Sequence, residues 1–163
     1  MTDSTMLPSG AVGAAGDAAT VVAAVSTGLT AGVYLAFSVL VMPALPAAGA
    51  AAVAVMQRVN RLAERPVFGL VFAAAAIGSV WILVAPWFTG GGRPVSVTAG
   101  AALSFAAFVV TVTVNVPRNR RLAALDASVP ADLAAWPRLA RTWCRANHLR
   151  TGCATAGLLA FLL

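Results

Sequence analysis

Residues 18–45 read AATVVAAVSTGLTAGVYLAFSVLVMPAL, and they contain no charged side chain. An apolar run of this length can cross the hydrocarbon core of a bilayer, roughly 30 Å thick, as a tilted helix. Similar runs follow at 67–88 and 95–116, and a fourth, which carries two arginines, closes the chain at 143–163. Because a lipid-exposed backbone must be hydrogen-bonded internally, the sequence predicts an all-α integral membrane four-helix bundle.

Composition supports this class of protein. Of the 163 residues, 60% are hydrophobic and 10% are charged, whereas an average soluble domain carries roughly 25% charged residues. Since each span consumes about 20 residues, we expect a single membrane domain at 17–163. Residues 1–16, mostly Gly, Ser, Ala and Thr, are expected to form a disordered N-terminal tail. No cleaved signal peptide is expected, because the first basic residue, Arg58, follows the first apolar run.

The basic residues predict an orientation. All eleven are arginines, and ten of them lie in the connections 46–66 and 117–150, whereas only Arg93 lies on the opposite side of a four-span topology. Positively charged loops stay on the cytoplasmic side. We therefore expect both termini outside a bacterial-type cell membrane and the long loops in the cytoplasm. This distribution explains the net charge of +6 better than nucleic-acid binding does, and no nucleic-acid partner is expected.

The connection between the first two spans is itself predicted to be helical. In residues 51–66 the arginines Arg58, Arg61 and Arg65 fall on one side of a helix, and Met56 and Asn60 fall on another. This pattern favours a short interfacial helix that lies along the membrane surface.

Polar residues form stripes on three of the predicted spans. With about 100° between successive residues, each stripe occupies one face of its helix. The members are Thr27, Thr30, Tyr34 and Ser38 on the first span, Ser104, Thr111, Asn115 and Asn119 on the third, and Trp143, Asn147, Arg150 and Thr151 on the fourth. Hydroxyl groups alone usually serve helix packing, whereas amides and a guanidinium that converge with them predict a polar pocket near the cytoplasmic face.

Arg150 allows two interpretations. It lies thirteen residues before the carboxy-terminal Leu163, which places it about 20 Å along a helix and within the inner third of the bilayer. Charged residues at that depth normally face the bundle interior or a cavity and indicate a functional site. The alternative is that the long side chain of Arg150 reaches back to the inner headgroups.

The positions of His148 and of the five carboxylates limit the kinds of functional site that the chain can form. His148 projects about 100° away from Asn147, so it faces either the pocket or the basic stripe of Arg141 and Arg145. As the single histidine it excludes a multi-histidine metal site within one chain, and all five carboxylates lie outside the predicted spans. No metal site is therefore expected. No Gly-rich nucleotide fingerprint, CxxC motif or nucleophile elbow is present either.

Four motifs in order, GVYLAFSVLVMPAL at 32–45, MQRVNR at 56–61, VTVNVPRNRRLAAL at 112–125 and WCRANHLRT at 143–151, resemble those of the anthrone-oxygenase-like family of small four-helix membrane proteins, formerly a domain of unknown function. The resemblance runs from about residue 20 to the end. It implies four transmembrane helices and, in members from aromatic polyketide pathways, oxidation of an anthrone to an anthraquinone by dioxygen. The positions that match the motifs are Asn60, Arg61, Asn115, Pro117, Asn119, Trp143, Asn147, Arg150 and Thr151.

The implied activity is that of a cofactor-independent, monooxygenase-type membrane oxidoreductase. An anthrone is a carbon acid whose conjugate base is a delocalised oxyanion, and preorganised donors in a dry site stabilise such charge. The expected oxyanion donors are Arg150, Asn115 and Asn147, and the expected proton-transfer group is His148 or Tyr34. The expected substrate-binding residues are Asn60, Arg61, Asn119, Tyr34, Ser38, Trp143 and Thr151.

The expected partners are an aromatic or lipophilic small molecule and the lipid bilayer. A homodimer through the G-xxx-G pair Gly28 and Gly32 is an alternative. No cofactor is predicted, although a haem or a quinone within the bundle is compatible with the sequence. The second functional hypothesis is a non-catalytic membrane protein that binds a lipophilic ligand or a partner membrane protein, with the polar stripes serving only helix packing.

Overall fold

The apolar runs of the sequence all fold as helices. The computed structural model describes the backbone of residues 9–163 and the side chains from Gly16 onward, and every regular element in that part of the chain is helical. The all-α prediction is thus confirmed for these residues. The α-helices are α1 Ser9–Ala36, α2 Met42–Ala44, α3 Ala51–Ala63, α4 Pro66–Val84, α5 Pro86–Thr89, α6 Val95–Val110, α7 Val116–Ala123 and α8 Pro130–Phe161.

Helix α1 begins earlier than the sequence suggested. The expected disordered tail covered 1–16, of which residues 1–8 lie outside the described part of the chain, whereas the helix already begins at Ser9. Alanine, the best helix former, accounts for this extension because it recurs through residues 11–19. At its other end α1 continues into a π-helical turn, Phe37–Val41, then into α2 and a 3-10 turn, Leu45–Ala48.

Within the described residues 9–163, three helical segments are long and apolar enough to cross a membrane. They are Gly16–Ala48, Pro66–Thr89 and Val95–Ala123, and they correspond to the first three predicted spans. Their outer faces carry large apolar side chains that remain exposed, such as Leu40 at 65%, Leu70 at 70% and Ile77 at 69%. A soluble surface would not expose such continuous apolar faces. The protein is an integral membrane protein.

The carboxy-terminal region forms one long helix. The periodicity of residues 131–145, with Trp136, Leu139 and Trp143 on one face, predicts a helix ahead of the fourth span at 143–163. Both belong to α8, which runs without interruption from Pro130 to Phe161 and contains Pro137. Its first half carries Arg138, Arg141 and Arg145, so α8 as a whole is more polar than the other long helices.

Small residues determine how the long helices pack. Helix α8 packs against α6 and α1, and α4 packs against α1 and α6. At the contact of α6 with α8, a Cβ atom added to Gly157 would lie 3.1 Å from the carbonyl oxygen of Gly100 and 3.2 Å from the amide nitrogen of Ser104. Where α4 meets α1, a Cβ atom on Gly78 would lie 3.0 Å from that of Ala23. These glycines allow the backbones to approach closely, as in other membrane helix pairs.

Helix α3 is linked to the carboxy-terminal end of α7 by the side chain of Gln57. Gln57 Nε2 donates hydrogen bonds to the carbonyl oxygens of Leu122 and Leu125, both at 2.9 Å. Leu122 lies in the last turn of α7, and Leu125 lies two residues beyond its end, where carbonyl groups lack the full set of helical donors. Apolar side chains of α3, including Val53 and Met56, are buried below this contact with Trp143 of α8. The same attachment holds the next turn of α3, with Asn60, beside the polar residues described below.

Candidate functional site

Arg150 lies inside the protein. It is 7% exposed, its Nε donates a hydrogen bond to Asn147 Oδ1 at 3.0 Å, and its Nη1 donates to Thr111 Oγ1 at 3.3 Å. Asn147 precedes it by one turn of α8, and Thr111 belongs to the π-helical turn Thr111–Asn115 that follows α6. Of the two interpretations of this residue, the structure therefore agrees with the interior position and not with a side chain that reaches the headgroups.

Two aromatic rings complete the surroundings of the guanidinium. Arg150 Cζ lies 4.1 Å from the ring centroid of Tyr34 and 5.2 Å from that of Trp143. Cation–π contacts of this kind gain strength when they are shielded from water. None of these partners carries a negative charge, and both hydrogen-bond acceptors among the described residues are neutral. Arg150 is thus a buried cation whose described neighbours orient it without neutralising it, which is an expensive arrangement in the absence of an anion.

Asn147 fixes the position of Arg150 by using both ends of its amide. Its Oδ1 accepts the bond from Arg150, while its Nδ2 donates to the carbonyl oxygen of Tyr34 at 2.9 Å and to Ser38 Oγ at 2.7 Å. The side chain is fully buried. Ser38 is also within 3.2 Å of Thr151 Oγ1, which donates to the carbonyl oxygen of Asn147. Asn147 therefore fixes Arg150 directly, and Ser38 and Thr151 fix the side chain and backbone of Asn147.

Thr111 orients Tyr34. Its hydroxyl donates to the carbonyl oxygen of Ala107 at 2.9 Å, so its oxygen accepts the bond from Arg150. The hydroxyl of Tyr34 lies 3.3 Å from the same oxygen. Because Thr111 has already used its only hydrogen, Tyr34 must be the donor in that contact. The lone pairs of the Tyr34 hydroxyl are thereby left available.

The side-chain amides of Asn115 and Asn119 both form hydrogen bonds with Trp143. Trp143 Nε1 donates to Asn119 Oδ1 at 2.7 Å, and Asn115 Nδ2 donates to the carbonyl oxygen of Trp143 over a longer 3.5 Å. Asn115 is fully buried, and its Oδ1 has no hydrogen-bond partner among the described residues. Both amides therefore bind groups of Trp143.

A cavity of about 320 Å³ opens beside these residues. Arg150, Tyr34, Trp143, Asn60 and Asn119 line it, and its remaining walls include the aromatic rings of Phe37, Phe68 and Phe72. Asn60 is 8% exposed, and its Nδ2 has no acceptor among the described residues. Buried amide donors are normally paired, so this one is available to a ligand. The carboxylate of Glu64 lies on the same lining.

Two predicted site residues lie elsewhere. His148 is exposed and lines a separate cavity, and its Nδ1 is 3.0 Å from Ser38 Oγ. Arg61 is exposed on α3 and is absent from the lining that contains Asn60. One residue along a helix turns a side chain by about 100°, which is why neighbours of Asn147 and Asn60 face other directions. In contrast, Glu64, Arg120 and the three phenylalanines join the site although the sequence analysis did not select them for it. Thr111, which the sequence placed on a polar stripe without a role, also lines the cavity.

Both π-helical turns lie at this site, and the sequence contained a signal for them. Phe37–Val41 supplies Ser38, and Thr111–Asn115 supplies Thr111 and Asn115. Each turn begins six residues before a proline, Pro43 in one case and Pro117 in the other. A proline ring clashes with the carbonyl four residues earlier, and a wider turn relieves that clash. Single π-helical turns within α-helices occur frequently at functional sites.

The described part of the chain, from residue 9 to residue 163, contains no group of three or more His, Cys, Asp and Glu side chains that could hold a metal ion. The arrangement is instead a partly enclosed aromatic cavity. Its charged lining residues are the fixed cation of Arg150, a second arginine, Arg120, and Glu64, and Asn60 adds an unpaired amide donor.

Comparisons with known proteins identify the family of the chain. The family model described as Anthrone oxygenase matches residues 56–160, which is more than half of the chain. No curated protein and no solved structure matches the chain. The matched segment contains Asn60, Thr111, Trp143, Asn147 and Arg150, that is, most of the residues around the cavity. The chain belongs to the anthrone oxygenase family.

Proposed function

We propose that the protein is a membrane oxygenase that oxidises an anthrone-type aromatic polyketide with dioxygen in the cavity beside Arg150. The observation that carries this proposal is the buried, unneutralised guanidinium of Arg150, which lines an aromatic cavity. A cation held in this way is suited to a ligand on which negative charge develops during the reaction.

The cavity fits a flat aromatic molecule in size and in lining. Its volume of about 320 Å³ lies at the lower end of the range of small-molecule sites, roughly 300–1,000 Å³. Phe37, Phe68, Phe72 and Trp143 provide aromatic faces for stacking. The unpaired donors of Arg150 and Asn60 would then each bind an oxygen of the substrate.

In the proposed reaction, an anthrone loses a proton from its methylene carbon and becomes a delocalised aromatic oxyanion. Arg150 donates hydrogen bonds to the oxyanion and lowers the free energy of that state. The oxyanion gives an electron to dioxygen, and the resulting carbon radical and superoxide combine to a peroxide anion. The peroxide takes up the proton that was removed in the first step, and loss of water from this hydroperoxide leaves the quinone. The sum is anthrone plus dioxygen to anthraquinone plus water, with one oxygen atom in each product.

The cavity lining contains two groups that bear on proton transfer from the substrate. Glu64 is the carboxylate among the described lining residues, whereas the Tyr34 hydroxyl donates to Thr111 and would have to ionise before it could accept a proton. We propose Glu64, because a carboxylate at the mouth of the cavity can pass the proton on to water. His148 lines a different cavity, so its role in proton transfer would require another route.

We further propose that the second half of α8 is the fourth membrane span. This half packs along α6 through Gly157 and along α1 near Gly28, so the two apolar helices would surround it on crossing the bilayer. With the arginine distribution, this arrangement places both termini outside and α3 along the cytoplasmic surface. The cavity beside Arg150 would then open towards the cytoplasmic side, because α3 and the start of α7 form part of its wall.

The test is aerobic oxidation of a simple anthrone by the purified protein in detergent, followed by the absorbance of the anthraquinone. We expect turnover above the spontaneous rate by a protein whose visible spectrum contains no cofactor band. A haem or quinone band would revise the cofactor-independent mechanism. Tight binding of the anthrone without faster oxidation would instead support the alternative function, a membrane protein that binds a lipophilic ligand.

A further inference from the structure

A second cavity, separate from the proposed active site, lies where α8 passes the end of the first apolar segment. Its volume is about 690 Å³, and none of its lining residues lines the cavity beside Arg150. One wall is a face of α8, and the other is formed by the segment that includes Met42, Leu45 and Ala52. It is the larger of the two and contains His148, which the proposed reaction does not use.

The polar groups of this cavity lie in one row. Arg141, Arg145 and His148 are spaced by four and three residues along α8, so they project from a single face of the helix. Over seven residues the row is about 10 Å long. The lining contains no carboxylate among the described residues, and the two guanidiniums therefore have no anionic neighbour within the cavity.

The rest of the cavity is apolar. Its lining includes the apolar side chains of Leu45, Leu133, Trp136, Ala140 and Cys144. Trp136 lies on the more polar half of α8, which precedes the segment packed between the long apolar helices. Tryptophan is typical of the boundary between hydrocarbon and headgroups, and the first apolar segment also ends here, at Ala48. The cavity thus combines a cationic row with an apolar lining at the expected level of the membrane surface.

We propose that this cavity binds one molecule of an anionic phospholipid. Its phosphate contacts Arg141 and Arg145, and one acyl chain occupies the apolar surface along Leu45 and Trp136. A neutral aromatic molecule would leave both guanidiniums without a partner, and a free phosphate would leave the apolar surface uncovered. The charge of the row and its apolar surroundings together match an anionic amphiphile. This inference does not depend on the proposed oxygenase activity.

Fluorescence quenching of Trp136 can test the site in the intact protein. The protein is placed in phosphatidylcholine nanodiscs that contain a fixed minor fraction of a phospholipid brominated along its acyl chain, with either a phosphatidylglycerol or a phosphatidylcholine headgroup. The contribution of Trp136 is the difference between the wild type and Trp136→Phe. We expect the phosphatidylglycerol form to occupy the site at least roughly fivefold more strongly, since each arginine near an anionic lipid contributes about that factor.

The double variant Arg141→Gln/Arg145→Gln should remove this preference. A matched control is Arg121→Gln/Arg138→Gln, which removes the same charge from residues that line a different groove; this control should keep the preference. Circular dichroism and size-exclusion chromatography verify that all variants are folded.

Three results would overturn the proposal. Equal quenching by the two headgroups in the wild type would show that the cavity does not recognise the anion. An equal loss of preference in the control would show that general basic charge is responsible. Loss of the preference on addition of soluble glycerol phosphate would identify a site for a free phosphate rather than for a lipid.

Discussion

The guanidinium of Arg150 is oriented on several sides by neutral groups of three different elements. Tyr34 of α1 lies against one face, Thr111 of the second π-helical turn accepts a hydrogen bond, and Asn147 of α8 accepts another. Each contact restricts the side chain, but none compensates its charge. At the scale of single residues, the protein therefore maintains a cation in a fixed place beside a cavity, which is the preorganisation that stabilises a developing oxyanion.

Asn60 provides a separate prediction, because its buried Nδ2 has no described acceptor. An unpaired buried donor costs about 1–3 kcal/mol of stability. If the substrate supplies the missing acceptor, Asn60→Ala should raise KM for an anthrone roughly three- to tenfold, the worth of one hydrogen bond. The melting temperature should stay equal or rise, since the unpaired group is gone. Kinetics and thermal denaturation of the same preparation measure both effects.

Leu62→Ala is the control for this prediction, because Leu62 is an exposed residue of the same helix and does not line the cavity. It should leave KM unchanged. A lower melting temperature of Asn60→Ala with an unchanged KM would mean that Asn60 is a packing residue.

At the scale of elements, the two π-helical turns make the packing of helices at this site differ from that of regular α-helices. Residue periodicity was sufficient to predict that Arg150, Asn147 and Thr111 would share an interior, because the stripes on α6 and α8 follow the ordinary 100° rotation. A π-helical turn inserts one extra residue per turn, so it changes the direction of every side chain beyond it. For this reason Asn115 faces the backbone of Trp143 rather than the cavity, a detail that a regular helical projection could not predict.

Pro117→Ala tests whether the second π-helical turn positions the site. Without the proline ring, the segment Thr111–Asn115 can return to a regular α-helix, and Thr111 would then turn away from Arg150. We expect kcat to fall between about tenfold and about 100-fold, because a displacement of about 1 Å can have such an effect. The melting temperature should not fall, since alanine favours a helix.

The comparison variant is Pro137→Ala, which also removes a proline within a helix but lies away from the cavity beside Arg150. It should keep wild-type kcat. A Pro117→Ala enzyme with wild-type kcat would show that the π-helical turn has no part in positioning Thr111.

At the scale of the whole molecule, the sequence predicted the helical membrane class and also the helices within 51–66 and 131–145. Apolar runs of span length have few physical alternatives in a bilayer, which explains the agreement for the first three segments. The start of α1 deviated, because alanine forms helices that hydropathy does not detect. His148 and Arg61 lie away from the main cavity because each follows a site residue by one position, and the sequence alone does not show which face is enclosed.

The proposed orientation can be tested by cysteine labelling in intact cells. In a background without Cys144 and Cys153, a cysteine at Ser128, an exposed position of the connection between α7 and α8, should resist a membrane-impermeant thiol reagent until the cells are opened. A cysteine at Gly91 should react in intact cells, because ten of eleven arginines would hold the other side in the cytoplasm. Labelling of the Ser128 position in intact cells would reverse the proposed topology.

If Arg150 stabilises an oxyanion in the reaction, the turnover of an anthrone must depend on its guanidinium, which Arg150→Lys tests. Lysine keeps the charge and most of the length but lacks the planar, forked donors of the guanidinium. With folding matched by melting temperature, and with Arg150→Ala as the reference for complete loss, we predict that kcat/KM of Arg150→Lys falls roughly 100-fold or more. Turnover of Arg150→Lys at the wild-type rate would show that the guanidinium of Arg150 does not stabilise an oxyanion.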